Sequence, residues 1–377
     1  MSRAYRVLVL GGYGHFGGRI CRALAAESNI ALIIAGRNAG AARAFAQMLP
    51  AAARARGECA ALDHASPQFA RALAALKPDL VIHTSGPFQG ASYAVAQAAI
   101  NAGAHYIDLA DAREFVACIG ALDEAARGAN VLVVSGASTL PALSAAVIDA
   151  NLHEFQTLEA VEISIAPGQR TPRGAATIAA VLSYCGKPFR ALQDGQWRTA
   201  HGWMDLHHHC YPRFGCRWLA RCDVPDLELF PGRYPALRTM RFDAALEITL
   251  LQMGLWMLAA LARWGPVRDW GAQAPLFLRM ARAFDWMGSD VGGMHVEMRG
   301  IGGDGKPKTV VWNLTARRGH GPEIPCIAAI VLARKLAYGE LNERGAMPCM
   351  GLMTLEDFGA AVAQLDIAWE THAVMTP

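Results

Sequence analysis

The sequence predicts an α/β protein built on a parallel, doubly wound sheet, and three observations carry that prediction. The run Tyr5 to Leu10 is short, branched and leucine-rich, as suits a strand buried on both faces, and it passes directly into a glycine turn and a helix start. Short apolar runs then alternate with helical patterns as far as Val134, which is the signature of parallel strands joined by crossover helices. The chain of 377 residues, 53% hydrophobic, is long enough for about two domains and can bury a large core.

The opening turn has the spacing Gly12-x-Gly14-x-x-Gly17. Gly12 permits a sharp turn, Gly14 lets a backbone approach a diphosphate, and Gly17 lets the next helix pack on the strand with its free N–H groups facing the anion. The candidate cofactor contacts are therefore Gly12, Tyr13, Gly14, His15, Phe16 and Gly17; the alternative is an ordinary glycine-rich turn. Arg19 to Glu27 is expected as a helix with Ile20, Ala23 and Leu24 inward, and Ile30 to Ala35 as a second buried strand. That strand ends at Gly36-Arg37-Asn38, where an acidic residue would hold a ribose 2′-hydroxyl and an arginine accommodates a 2′-phosphate. Arg37 with no acid beside it favours NADP over NAD, the alternative being an exposed arginine that starts the next helix. Asn38 either assists or caps the helix Ala39 to Met48.

Strands are then expected at Glu58 to Leu62, Leu80 to Thr84, Tyr106 to Leu109 and Asn130 to Val134. The helices between them are Pro67 to Ala75, Ala91 to Ala102 and Ala112 to Arg127. Ligands of such a sheet bind at the carboxyl ends of its strands. Asp63 stands at one such end, either for an adenine amino group or as a helix cap, and Ser85, Gly86, Pro87 and Phe88 are placed to wall the nicotinamide ribose. Asp108 to Asp111 and Ser135 to Ser138 occupy the next two ends.

Together the glycine turn, Ser85-Gly86-Pro87-Phe88, the segment Gly103 to Leu109 and Gly136-x-x-x-x-Pro141 resemble the saccharopine dehydrogenase-like oxidoreductases, the saccharopine reductase family. The resemblance implies an NADP-binding Rossmann domain interrupted by an inserted α+β substrate and dimerisation domain. Residues 1–152 with 322–377 would form the first and 153–321 the second, with a homodimer as the assembly. Where the family usually has Gly-Glu after the fifth strand, this chain has Ala110-Asp111, the acid kept but shortened. The family acts on varied substrates, so membership does not make saccharopine the substrate.

Beyond Asn151, Leu158 to Ala166 alternates as a strand, and Pro167 to Arg173 reads as a turn into a separate domain, followed by a helix over Gly174 to Tyr184. Arg170 and Arg173 are candidates for a substrate carboxylate, or else solvated loop residues. Lys187 to Thr239 is less regular, with Phe230 to Pro235 a proline-pinned turn. Its His207-His208-His209-Cys210, Cys216 and Cys222 lack any paired metal motif, and consecutive histidines cannot all face one centre, so no metal is expected. Ala244 to Ala262 reads as one very apolar helix for a core or dimer interface; the alternatives are peripheral membrane contact or an apolar substrate tunnel, and a true span is disfavoured by Glu247 and Gln252. Pro275 to Met287 is a second helix of that surface, and His295 to Ile301 with Thr309 to Arg317 a hairpin. The motif Gly319 to Pro325 opens a helix over Ile324 to Tyr338, with His320 and Glu323 as candidate substrate contacts or, for Glu323, a dipole partner. Gly345 to Leu352 and a helix over Leu355 to Leu365 are expected to close on the first domain.

A net charge of +3 with scattered basic residues argues against nucleic acid as a partner and leaves a small-molecule substrate. Nine cysteines without a C-x-x-C pair read as reduced thiols of a cytoplasmic protein, and the apolar run before Gly11 is too short for a signal peptide. The expected activity is NADP(H)-dependent hydride transfer to or from a carbonyl, imine or enoyl group, with Asp111 and His320 as candidate proton donors. None of the eight tyrosines has lysine four residues on, which argues against the short-chain dehydrogenase class. Two alternatives remain, a non-catalytic NADPH sensor or assembly protein and a membrane-surface reductase of a lipid-like substrate.

Overall fold

A glycine-ended strand, β1 (Tyr5–Leu10), lies inside the first sheet of the computed structural model, which describes residues 3–265 and 269–375. The chain divides into two units, Met1–Leu143 with Glu323–Ala361 and Ser144–Pro322 with Val362–Pro377. The first unit continues through α1 (Gly17–Leu24), β2 (Ile30–Gly36), α2 (Ala39–Gln47), α3 (Ala51–Arg56), β3 (Glu58–Ala61) and α4 (Phe69–Ala75). It goes on through β4 (Leu80–His83), α5 (Ala94–Asn101), β5 (His105–Asp108), α6 (Arg113–Ala117), α7 (Asp123–Gly128) and β6 (Leu132–Ser135). Helices α8 (Ser144–Asn151), α9 (Ala175–Ser183), α10 (Asp226–Arg233), α11 (Thr249–Trp264) and α12 (Ala274–Ala283) belong to the second unit. So do strands β7 (Phe155–Ala166), β8 (Pro188–Gln193), β9 (Gln196–His201), β10 (His207–Tyr211), β11 (Gly215–Arg221), β12 (Thr239–Ala245), β13 (Gly292–Gly302) and β14 (Pro307–Ala316). The chain returns to the first unit with α13 (Ile324–Tyr338) and β15 (Gly345–Pro348), and ends through α14 (Leu355–Val362) and β16 (Ile367–Met375).

The first sheet is parallel throughout, in the order β15-β6-β5-β4-β1-β2-β3. The chain runs outward from β1 to β3, then crosses to β4 on the other side of β1, so the strand order reverses between β1 and β4. A crevice at the carboxyl ends of the strands follows from that reversal. Leu8, Leu10, Val81, Tyr106 and Val133 are buried in one cluster under α4 and α5, which is why these strands are apolar without alternation. Here the predicted series of strands and helices is present with ends shifted by a few residues, and the single helix predicted over Ala112 to Arg127 is broken into α6, a 3-10 turn and α7.

The second sheet is mixed, in the order β10-β11-β12-β7-β13-β14-β16, with β12 parallel to β7 and the remaining pairs antiparallel. Its strands alternate: Val161, Ile163, Met240, Val296, Met298 and Trp312 are buried on one face. The register places Glu162, Ser164, Arg241, Asp243, His295 and Asn313 on the other.

Three expectations are corrected. The apolar stretch 244–262 is not one helix, because Ala244 and Ala245 end β12 and α11 starts at Thr249. The period-two pattern of Thr239–Ala245 holds the strand against β7, and buried Gln252 turns back to accept the Leu246 N–H at 2.8 Å, which closes the extended segment. Among the described residues no helix is long and apolar enough to cross a membrane. The carboxyl terminus does not stay with the first unit, since β16 adds to the edge of the second sheet beside β14. Finally, Cys210 and Cys216 are disulfide-bonded across the β10–β11 hairpin, where they stand directly opposite one another with Cα atoms 3.9 Å apart. The other seven cysteines are free.

Candidate cofactor site

Close packing of β1 on the β4 loop leaves no room for side chains at Gly11 and Gly17 of the glycine turn. Gly11, not Gly12, takes the left-handed conformation, at φ +85°, and a Cβ there would lie 2.7 Å from Ser85 Oγ and Thr84 Oγ1. Gly14 N–H donates to Gly11 O at 2.8 Å and closes the turn. A Cβ on Gly17 would come within 2.2 Å of that same Gly11 oxygen, so the entry of α1 is pressed against the turn, whereas a Cβ on Gly14 would meet only Gly11, at 3.0 Å, and otherwise open space. The turn is therefore tight on its inner side and unobstructed on its outer side at Gly14. That is the shape required for a backbone cradle facing an anion at a helix start.

Tyr13 ties the turn to the end of β2. Its ring lies where a Cβ on Gly36 would be, 2.6 Å from the nearest ring atom, and its hydroxyl accepts the Asn38 N–H at 3.0 Å. Asn38 itself caps α2, its Oδ1 accepting from Ala41 N–H at 3.0 Å. Arg37 between them is exposed and forms no ion pair among the described residues. A free guanidinium held beside the cradle in this way fits a 2′-phosphate. Within the turn, burial and then Arg19 lower the pKa of His15 to about 4, so its ring is neutral at pH 7. Asp63 is engaged in its own loop, accepting from Ala65 N–H at 3.1 Å.

Beyond β4, Gly86-Pro87 is a cis peptide and Phe88 packs edge-on against His83, with ring centroids 5.0 Å apart. His83 and the network behind it lay outside the sequence-based candidates. His83 Nδ1 pairs with Tyr106 Oη at 3.0 Å, and burial lowers its pKa to about 3. The available signal was a histidine ending a buried strand just before the Ser85 turn. Asp108 is fully buried, and burial raises its pKa to about 6 although it accepts from Ser135 Oγ and Gly136 N–H at 2.9 Å and Ala110 N–H at 3.0 Å. It fastens the loops after β5 and β6 together.

Asp111 follows on that loop and accepts from Gln89 Nε2 at 3.2 Å. Desolvation raises its pKa, although the residue is solvent-exposed and the Gln89 bond opposes the shift. Glu323 pairs with Arg19 at 2.9 Å within the first unit. His320 belongs to the second unit, where its Nδ1 accepts the Asp366 N–H at 2.8 Å. Arg170 and Arg173 both turn onto their own unit: Arg170 Nε donates to Asp285 O at 3.2 Å, and Arg173 pairs with the Asp285 carboxylate at 2.6 Å. The one metal-capable group of side chains among the described residues is His208, Cys210 and Cys216, and its two sulfurs are bonded to each other.

Residues 7–149, spanning this cradle, match the family model of the saccharopine dehydrogenase NADP binding domain. Residues 7–149 are a saccharopine dehydrogenase-type NADP-binding domain. A search of the curated proteins finds no match to the chain. Among solved structures the chain is similar to apo histidine-tagged saccharopine dehydrogenase (L-Glu forming) from Saccharomyces cerevisiae, with a TM-score of 0.69 and 14% identity over 99% of this chain and 100% of that one. It is also similar to an amine dehydrogenase from Mycobacterium smegmatis, with a TM-score of 0.47 and 9% identity over 92% of this chain and 95% of that one. At 14% identity the likeness to the saccharopine dehydrogenase is one of fold alone. The saccharopine dehydrogenase-type domain thus accounts for the glycine turn and the cofactor, NADP, while the second unit shares only its architecture with a known enzyme.

Proposed function

We propose that the protein is an NADP(H)-dependent oxidoreductase that moves a hydride to or from a carbonyl, imine or enoyl carbon of a small or apolar substrate. The observation that carries this reading is the unpaired Arg37 beside a turn whose outer side is open at Gly14, in a domain of NADP-binding type. NADPH, when bound, supplies the hydride. The chain supplies the rest. Backbone N–H groups between Tyr13 and Gly17, other than that of Gly14, which closes the turn, and the start of α1 hold the diphosphate, and Arg37 holds the 2′-phosphate. Ser85 to Phe88, backed by the neutral His83, line the nicotinamide end. Asp111, its pKa raised, is the proton donor of choice in the first unit. We place the enzyme in the cytoplasm, on the seven cysteines that stay as thiols.

Calorimetry of the full chain with NADPH and NADH tests the binding half, with NADPH expected to bind more tightly. Steady-state NADPH oxidation against keto acids with amines and against enoyl acceptors tests the chemical half. No heat with either coenzyme would overturn the reading, and tight NADPH binding without turnover on any acceptor would move it to a sensor.

A further inference from the structure

Exposed apolar residues are concentrated on one part of the second unit. On α11, Leu250, Met257, Leu261 and Trp264 recur at helical spacing and are all exposed, Trp264 by 67%. On α12, Leu276 and Met280 stand one turn apart and are likewise exposed, and Trp286 just beyond the helix is 76% exposed. The two helices belong to one surface, because Trp270 donates its indole N–H to Leu258 O on α11 at 3.0 Å and meets the Phe277 ring on α12 edge-on. Trp286 is not a fraying end. Gln169, Arg170 and Arg173 grip Ala281, Asp285 and the Trp286 carbonyl from the β7–α9 loop, so its exposure is built in.

The charge on this face has one sign. Neither α11 nor α12 contains an acidic residue, while Arg263, Arg279 and Arg282 are exposed and form no ion pair among the described residues. Of the acids nearby, Glu247 pairs with Arg217, Asp285 with Arg173 and Asp269 with Lys187, which leaves exposed Asp290 as one carboxylate without an ion pair among the described residues against three such arginines. A two-fold pairing of the two helices with themselves in a second copy would set arginines against arginines with no carboxylate on either helix to answer them. Exposed tryptophan, leucine and methionine with arginines interleaved, and Arg263 stacked on Trp264 at 4.7 Å, instead match the composition of helices that lie in a lipid headgroup region.

We infer that the exposed face of α11 and α12, with Trp286, docks on an anionic phospholipid surface. The helices lie along the bilayer plane, the tryptophans enter the interface, and the arginines meet lipid phosphates. This inference concerns the second unit alone and is independent of the coenzyme reading.

Sedimentation of the full chain with phosphatidylcholine vesicles, with and without phosphatidylglycerol, tests it. The protein is expected to partition onto the anionic vesicles and to be released by salt. Trp264→Ser and Trp286→Ser should each weaken partitioning about tenfold. Arg279→Glu with Arg282→Glu should weaken it on anionic vesicles by at least about fivefold for each charge. All four residues are solvent-exposed, so circular dichroism and NADPH affinity should not change. Wild-type protein that stays in the supernatant with both vesicle types, or that binds uncharged vesicles equally well, overturns the inference. So does a dimer in light scattering that the two tryptophan variants convert to monomer, which would assign the face to a second copy.

Discussion

Replacing Gly14 and Gly17 separately by alanine should separate binding from folding, although both belong to the same turn. At Gly17 the new methyl would sit 2.2 Å from Gly11 O and 2.8 Å from Gly11 C and Thr84 Oγ1, all but the last backbone atoms. The turn must then move by about an ångström, and small-to-large changes at packed sites of this kind cost about 1–3 kcal/mol. At Gly14 the same methyl meets only Gly11 O, at 3.0 Å, which a small adjustment relieves. Its outward side, however, is where a diphosphate must approach the backbone. Loss of even one or two hydrogen bonds to a charged group, at about 1.5–3 kcal/mol each, weakens binding by about 10-fold or more. The expected pattern is therefore a Gly14→Ala variant with an unchanged melting temperature and NADPH affinity reduced at least about tenfold, and a Gly17→Ala variant that loses both. Thermal unfolding without coenzyme and calorimetry with NADPH read the two quantities. Unaltered NADPH affinity in Gly14→Ala would refute the placement of the diphosphate on this turn.

Arg37→Ala should reduce NADPH affinity by about 10-fold or more while leaving NADH affinity as it was, since only the 2′-phosphate partner is lost; equal effects on both coenzymes would count against the assignment. Asp226 carries a pH dependence. Burial raises its carboxyl from 3.8 to about 7, so the fold retains a proton that the unfolded chain has released, and the resulting stability is present below about pH 4 and lost as pH rises to about 7. Asp226→Asn, which keeps an oxygen to accept from Ser144 Oγ, should remove that decline, so that its stability changes less than that of wild type between about pH 4 and pH 8, read by urea unfolding across the range. Arg173→Ala should lower stability by about 1–2 kcal/mol through loss of the Asp285 pair and the bond to Gln169 O, with the midpoint of urea unfolding as the measure. Alkylation of the unfolded, unreduced protein should modify seven cysteines, and nine after reduction; nine in both would remove the Cys210–Cys216 bond.

Local sequence determined much of the first unit. Strands buried on both faces are uninterrupted apolar runs, and a glycine is written wherever backbone must touch backbone, so β1, the turn and α1 follow from neighbours in the chain. The position of Arg37 at the end of β2 was legible for the same reason. Tertiary structure decided which glycine takes the strained conformation, because that depends on Thr84 and Ser85 arriving from a strand far along the chain. It also decided that Arg170 and Arg173 grip Asp285, that Ala244 and Ala245 extend a strand, and that 367–375 joins the second sheet. In each case the deciding partner lies outside the local pattern, where an arginine written in a loop is the same letter whether it meets a ligand, a carboxylate or water.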